Sequence, residues 1–180
     1  RRIRAAESPN QLHLQRDYAN VLLRKGKVCL EMNQLEQSIS VYETARDIFI
    51  SLVEKDPTNG IAPRDLAWGY YFLGEAYIAD TQHDTGLDTL ELGLIIIQDR
   101  CIANPSNAPE RNDVTLYLES YVWKCGQIEE THRSRDMCYG VLLALQPTVE
   151  SNPDNYALAD IYSQVKLLYD QINQVLTAEQ

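Results

Sequence analysis

The chain has 180 residues, of which 44% are hydrophobic, and its formal net charge at pH 7 is -10. This length and apolar content suffice for a single packed domain, and no run of about 18 apolar residues is present that could cross a membrane. The excess of acidic residues argues against nucleic acid as a partner, because binding to phosphates requires the opposite charge.

Four prolines recur at a fixed interval of 48 residues, and an amide residue follows each of them two positions later. The pairs are Pro9 and Gln11, Pro57 and Asn59, Pro105 and Asn107, and Pro153 and Asn155. A fixed period of tens of residues is typical of stacked repeats, in which no single unit buries its own apolar face. We therefore predict a repeat protein that binds a partner and has no catalytic activity of its own.

The period divides the chain into five segments of one continuous domain. They are a basic N-terminal tail or linker at 1–8, repeat 1 at 9–56, repeat 2 at 57–104, repeat 3 at 105–152 and a capping helix at 153–180. Basic residues are concentrated in two places only. These are Arg1, Arg2 and Arg4 in the tail, and Arg24, Lys25 and Lys27 in repeat 1.

Within each repeat, apolar residues lie three or four positions apart, which is the spacing of one helix face and not of a strand. In the second half of repeat 1 they are Leu35, Ile39, Tyr42, Ala45, Ile48, Phe49, Leu52 and Val53. Helix breaks are predicted at 56–59, 104–107 and 152–155, where proline removes a donor and a following Asn or Asp can cap the next helix. Each repeat is thus predicted to be a hairpin of two antiparallel helices, and the fold class is all-α.

The turns inside the hairpins follow the period less closely. They are predicted at 31–34 in repeat 1 and at 80–83 in repeat 2. In repeat 3 the strongest turn signal is at 125–127, around Gly126, about three residues early. We also expect Pro147 to end or kink the second helix of repeat 3 early.

Small and aromatic residues form a second pattern in repeats 1 and 2. Repeat 2 contains Leu73-Gly74-x-x-Tyr77 followed by Gly86, Leu90 and Gly93, and repeat 1 contains Gly26 followed by Asn33, Ser38, Tyr42 and Ala45. These residues resemble the tetratricopeptide repeat, whose first helix carries Leu-Gly-x-x-Tyr and whose second carries small, aromatic and small residues. The match is weak in repeat 3, where Val122 replaces the glycine, and nearly absent in 153–180.

The resemblance implies a right-handed superhelical stack of antiparallel hairpins, a tetratricopeptide-like α-solenoid with three repeats and a C-terminal capping helix. A period of 48 exceeds the usual length of that family, so both helices should be longer by a turn or two. The string Asp56-Pro57-Thr58-Asn59, with Arg64-Asp65-Leu66-Ala67 and Leu73-Gly74-Glu75, is similar to long-period repeats of large bacterial signalling proteins. Such repeats are appended to kinase, cyclase or winged-helix regulator domains. Because the chain begins with Arg1 and not Met, we expect it to be a piece of such a protein.

The sequence predicts no catalytic residue, no metal site and no cofactor. Cys29, Cys101, Cys125 and Cys138 include no Cys-x-x-Cys pair, and three of them occupy registers that other repeats fill with Tyr or Leu. We predict buried, reduced thiols. Cys125 and Cys138 lie on opposite arms of one hairpin, so a disulfide between them is kept as an alternative. The three histidines are scattered, without the spacing of metal ligands.

A partner-binding groove is implied by the resemblance, because positions two, five and nine of the first helix of each tetratricopeptide hairpin point into the concave surface. Counted from Ala19, Ala67 and Thr115, the groove residues are Asn20, Leu23, Lys27, Trp68, Tyr71, Glu75, Leu116, Glu119 and Trp123. Both tryptophans fall in this set, and large aromatic residues are typical anchors at recognition surfaces. The alternative is that they wedge against the neighbouring hairpin as core residues. Phe72 lies at the edge of the helix face that carries these residues, and it either joins the groove or packs inward.

The expected function is a non-catalytic, cytoplasmic scaffold that binds a peptide or helix of a partner protein through apolar anchors. A bare carboxylate would not suit this groove, since only Lys27 meets the family's requirement for such a clamp. Two alternatives stay open: a free-standing secretion or export chaperone, and a spacer that forms a homodimer through its last helix. The apolar face of that helix comprises Tyr162, Val165, Leu168, Tyr169, Ile172 and Val175.

Overall fold

The structure is a computed structural model that describes residues 12–178. It contains seven α-helices, and no strand is present between residues 12 and 178. The helices are α1 (Leu12–Glu31), α2 (Leu35–Lys55), α3 (Ala62–Ala79), α4 (His83–Ala103), α5 (Ala108–Gln127), α6 (Thr131–Ser151) and α7 (Tyr156–Ala178). The predicted all-α class is confirmed. The predicted basic tail at 1–8, together with Pro9 and Gln11, lies outside the described residues.

The chain forms two compact units, of which the first ends at Gly93 and the second begins at Leu94, within α4. In the first unit, α1 packs against α2, and α3 packs against both. In the second unit, α5 packs against α6, and α7 packs against both. Consecutive helices are therefore paired within each unit, as expected for hairpins joined by short loops.

The breaks between hairpins repeat one hydrogen-bonded turn. The backbone N–H of Asn59 donates to the carbonyl of Asp56, and the same bond joins Asn107 to Asn104 and Asn155 to Asn152, each at 3.0 Å. Proline is the second residue of all three turns, a position that its fixed φ favours. The breaks predicted at 56–59, 104–107 and 152–155 are thus confirmed.

The predicted capping by asparagine holds at one of the three breaks, where Asn155 Oδ1 accepts the N–H of Leu158 at 3.1 Å. Asn59 Oδ1 accepts the N–H groups of Ile61 and Ala62 at 2.9 and 3.1 Å, but the N-cap of α3 is Ile61, two positions after Asn59. Asn107 occupies the N-cap position of α5, but its side chain makes no capping hydrogen bond. Each capping bond satisfies a backbone donor that the first turn of a helix leaves free.

The loops inside the hairpins also repeat with the period of 48. They comprise residues 32–34, 80–82 and 128–130, and their central residues have positive φ, at 58° for Asn33, 62° for Thr81 and 62° for Glu129. The residue after each centre donates its N–H to a carbonyl five positions earlier. These bonds are Gln34 to Cys29 at 2.8 Å, Gln82 to Tyr77 at 2.9 Å and Glu130 to Cys125 at 2.8 Å. This left-handed C-terminal cap is the Schellman motif, and it turns the chain in all three hairpins.

The early turn predicted for repeat 3 is wrong. The helix α5 continues through Gly126 to Gln127, and the loop occupies 128–130, in register with the other two. Gly126 lies on an exposed surface, where a Cβ would meet no atom within 4 Å. The carbonyl of Cys125 instead accepts the closing hydrogen bond, so hairpin register, and not the local glycine signal, places this turn.

Pro147 does not end α6, which continues for one further turn to Ser151, so the expected early end of this helix is wrong. Proline lacks the N–H that would bond to the carbonyl of Leu143. Leu143 is exposed, which lets water reach that side of the helix. The turn after Pro147 is held in part by the hydroxyl of Ser151, which donates to the Pro147 carbonyl at 2.7 Å.

Glycine allows the closest approach of paired helices in the first unit. A Cβ at Gly26 would lie 2.5 Å from Cε1 of Tyr42, and a Cβ at Gly74 would lie 2.7 Å from Cγ of Leu90. A carbonyl oxygen, that of Gly86, is also only 2.8 Å from the same position at Gly74. These distances are shorter than any ordinary contact, so a larger residue at either glycine must push the helices apart.

Candidate binding surface

In the first unit, three of the predicted groove residues line one cleft on α1. Asn20, Leu23 and Lys27 lie along successive turns of the helix, and Phe72 of α3 closes the cleft from the side. Its volume is about 340 Å³. The complete lining is Asp17, Asn20, Val21, Leu23, Arg24, Lys27 and Phe72. The sequence therefore predicts three of the six α1 residues in this lining. For Phe72 it predicts either a place in the groove or inward packing.

An aromatic cluster of Trp68, Tyr71 and Phe72 continues from this cleft along α3. The ring centroids of Trp68 and Tyr71 are 5.3 Å apart, and those of Tyr71 and Phe72 are 5.4 Å apart, both with edge-to-face geometry. The Phe72 ring also stacks on the buried Tyr42 at 5.9 Å. Phe72 thus does both things that the sequence leaves open, because one side of its ring packs inward while it lines the cleft.

Trp68, Tyr71 and Glu75 are partly buried and lie on neighbouring turns of α3. The hydroxyl of Tyr71 donates to Oε1 of Glu75 at 3.3 Å. Edge-to-face ring contacts and this hydrogen bond reduce the freedom of the side chains before any partner binds. A rigid aromatic surface loses less entropy on binding than a flexible one.

In the second unit, the predicted residues of α5 face solvent. Leu116 and Trp123 are each 58% exposed, whereas Tyr117 and Tyr121, on the same helix, are fully buried. Glu119 is also exposed. The Lys124 ammonium lies 5.0 Å from the centroid of the Trp123 ring, within the range of a cation–π contact. The buried aromatic positions of α5 are therefore occupied by tyrosines, and Trp123 is a surface residue.

A second cleft, of about 200 Å³, lies between α5 and α7 and contains residues that sequence reasoning misses. Its lining is Thr115, Leu118, Glu119, Gln164, Val165, Leu167, Leu168 and Gln171. Gln164, Leu167 and Gln171 stand 144 positions, or three periods, after Asn20, Leu23 and Lys27. The sequence predicts the segment 153–180 to be a capping helix, and the groove positions are counted only on the first helices of repeats 1 to 3. Extending the period into α7 would have found these three residues.

One face of α7 is polar, although the equivalent face of α1 is apolar and packs within the hairpin. In α1 this face carries Ala19, Leu22, Gly26 and Cys29, all of them buried. In α7 the same positions are Ser163, Lys166, Asp170 and Asn173. Lys166 Nζ is 2.8 Å from Oδ2 of Asp170. This face is polar, as expected of a helix at which a stack ends.

All four cysteines are buried and free, as predicted, and no disulfide joins Cys125 to Cys138. Burial raises the pKa of the Cys138 thiol to about 12 and that of Cys101 to about 11, so both remain protonated at neutral pH. Between residues 12 and 178 there is no group of three or more His, Cys, Asp or Glu side chains placed to hold a metal ion. Nor is any helix in this range long and apolar enough to span a bilayer.

Comparisons of the chain with protein-family models, with curated proteins and with solved structures gave no match. The resemblance to tetratricopeptide repeats stays a prediction that rests on the residues quoted above.

Proposed function

We propose that the chain is a non-catalytic protein-interaction scaffold that binds a peptide or helix of a partner protein along the first helices of its hairpins. In this proposal the hairpins form a tetratricopeptide-like, right-handed α-solenoid of three repeats, with α7 as the cap. The recurrence of the same turns every 48 residues supports such a stack, because equal units with equal connections repeat one packing. The chain would then act in the cytoplasm as the docking extension of a larger bacterial signalling protein.

One observation carries the proposal: large apolar side chains remain on the surface of the first helices although the core positions are filled. On α5, Trp123 faces solvent while Tyr121 is fully buried two positions away. On α1, Leu23 lines a cleft while Leu22 is buried beside it. Leu23 also packs against the core cluster around Tyr42, so Trp123 is the clearer case of an outward side chain that the core does not use. Tryptophan is among the residues that supply most of the energy at protein interfaces.

The geometry suits an elongated ligand better than a small molecule. The cleft on α1 is at the lower end of the size range of small-molecule sites, and an aromatic cluster extends from it along α3. A peptide or helix with apolar anchors spaced along its length can use such a row of contacts.

A peptide array tests the proposal while the partner is still unidentified. The labelled chain is applied to an array of random-sequence peptides, and the affinities of the best binders are measured for variants. Trp68→Ala and Trp123→Ala should each weaken binding by about 2 kcal/mol or more, because anchor residues typically reach that threshold. Tyr156→Ala is the control, since Tyr156 is exposed at the start of α7, outside the proposed surface.

Two results would contradict the proposal. One is an array on which no peptide binds above background. The other is an equal loss for Tyr156→Ala and for the tryptophan variants, which would mean that exposed aromatic residues bind peptides without regard to their position.

If the chain is instead an export chaperone, a similar surface would bind an unfolded partner. Many peptides of the array would then bind, with little preference for sequence. The homodimer alternative has less support, because Val165 and Ile172, in the middle of the apolar face of α7, are buried within the second unit. That face is therefore already used by the chain itself.

A further inference from the structure

We infer that the cleft on α1 selects an acidic segment, in which side-chain carboxylates lie close to a large apolar residue. This inference rests on the proposed function and specifies the chemistry of the partner at one of its clefts. It follows from the charge of the cleft, which is opposite to that of the chain as a whole.

The lining of the cleft separates apolar from cationic groups. Leu23 and Phe72 supply an apolar surface, to which Val21 adds a side chain that is 40% exposed. Arg24 and Lys27, both exposed, lie at the same cleft. Lys27 Nζ is 4.0 Å from Oε1 of Glu31, at the limit of an ion pair, so it stays accessible to a ligand.

Charge complementarity identifies the ligand. Two cations and one anion, Asp17, line this cleft, whereas the whole chain carries a net charge of -10. An acidic segment would be repelled by most of the surface and attracted here, which favours encounter at this position. Arg24 can bind a carboxylate through two parallel hydrogen bonds, and such charge-assisted bonds are stronger than neutral ones.

The length of the cleft limits the spacing within the ligand. Asn20 and Lys27 are separated by seven residues of helix, which corresponds to about 10 Å along the axis. An extended peptide covers that length with about three residues. The carboxylate that meets Arg24 or Lys27 should therefore lie within about three positions of the side chain that contacts Leu23 and Phe72.

The second cleft provides an internal contrast. Glu119 is the charged residue in its lining, and the other polar groups there are the uncharged side chains of Thr115, Gln164 and Gln171. Acidic selection is thus expected from the α1 cleft and not from the second cleft. Substitutions at Arg24 should change it, and substitutions at Glu119 should not reduce it.

The same peptide array, read by composition at low and at high salt, tests the inference. Peptides that bind the wild-type chain should be enriched in Asp or Glu within about three positions of a large apolar residue. Arg24→Glu should lower the affinity for these peptides at least about tenfold, because a like charge then faces the carboxylate. Lys25→Glu is the matched control, since Lys25 is exposed on the same helix but does not line the cleft, and it should change the affinity far less.

The outcomes separate this inference from the proposed function. If peptides bind but the bound set is neutral or basic, or if Lys25→Glu and Arg24→Glu have equal effects, acidic selection is wrong and the binding surface stands. If no peptide binds in any class, the proposed function itself is wrong. Enrichment in acidic peptides without apolar residues would also overturn the inference, because the apolar surface of Leu23 and Phe72 would then have no role in binding.

Discussion

Three residues carry the left-handed conformation that closes the hairpins, and they differ in how well they tolerate it. Asparagine adopts positive φ more readily than most residues, whereas a β-branched threonine does so rarely. For residues with a Cβ this conformation costs roughly 1–2 kcal/mol. That Asn33, Thr81 and Glu129 share it shows that the packing of the paired helices determines the turn.

Replacement of Thr81 by glycine should therefore stabilise the chain. We expect Thr81→Gly to raise the free energy of unfolding by about 0.5–1 kcal/mol, because the steric relief exceeds the entropy that glycine adds to the unfolded state. Urea denaturation measures this change. Asn33→Gly is the control and should have a smaller effect; a loss of stability in Thr81→Gly would show that position 81 carries no steric strain.

At the scale of elements, one junction between hairpins differs from its equivalents. Arg100 of α4 and Glu110 of α5 form an ion pair at 2.5 Å, with side-chain exposures of only 17% and 9%. One period earlier the same pair of positions holds Leu52 with Ala62, and one period later it holds Thr148 with Leu158. Among the described residues, Nε of Arg100 and Oε2 of Glu110 are buried without a hydrogen-bond partner. The desolvation of such a pair can exceed its Coulombic gain.

A double-mutant cycle at this junction should be strongly non-additive. Glu110→Ala alone should cost about 3 kcal/mol, at the lower end of the range for a broken buried pair, because Arg100 keeps partial access to water. Arg100→Leu with Glu110→Ala reproduces the residues of the first junction, and we expect its stability to lie within about 1 kcal/mol of wild type or above it. Denaturant unfolding of both single variants and the double variant measures the coupling. Additive losses would contradict this account.

The sequence predicted the breaks between hairpins better than the turns inside them. A proline two residues before an asparagine specifies a local turn by its own chemistry, so the break around Pro105 could be read directly. The turn at 128–130 has no such residue. Glu129 adopts positive φ because α5 and α6 pair in a fixed register, and Gly126, the stronger local signal, remains helical. The helix α6 also continues past Pro147, because its exposed side lets water reach the carbonyl that proline leaves without a donor.

On the scale of the whole molecule, the period of 48 relates the α1 cleft to that between α5 and α7, and it also shows where the pattern stops. The groove residues predicted on the first helices of the three repeats include Asn20 and Leu23, which the structure places in a cleft. Leu167, 60% exposed in the second cleft, was not predicted because the residues of α7 lack the family pattern. A helix can thus lose the apolar face that pairs it within a hairpin and keep the face that lines a cleft.

The central claim is that the first helices separate a recognition surface from the folding core, and Trp123 tests it most directly. The measurement is the free energy of unfolding of Trp123→Ala beside that of Tyr121→Ala, two aromatic truncations on the same helix. Because Trp123 is largely exposed and Tyr121 fully buried, we expect a loss of about 0.5 kcal/mol for the first variant and about 3–5 kcal/mol for the second. Equal losses would mean that Trp123 belongs to the core, and the proposed binding surface on α5 would then be wrong.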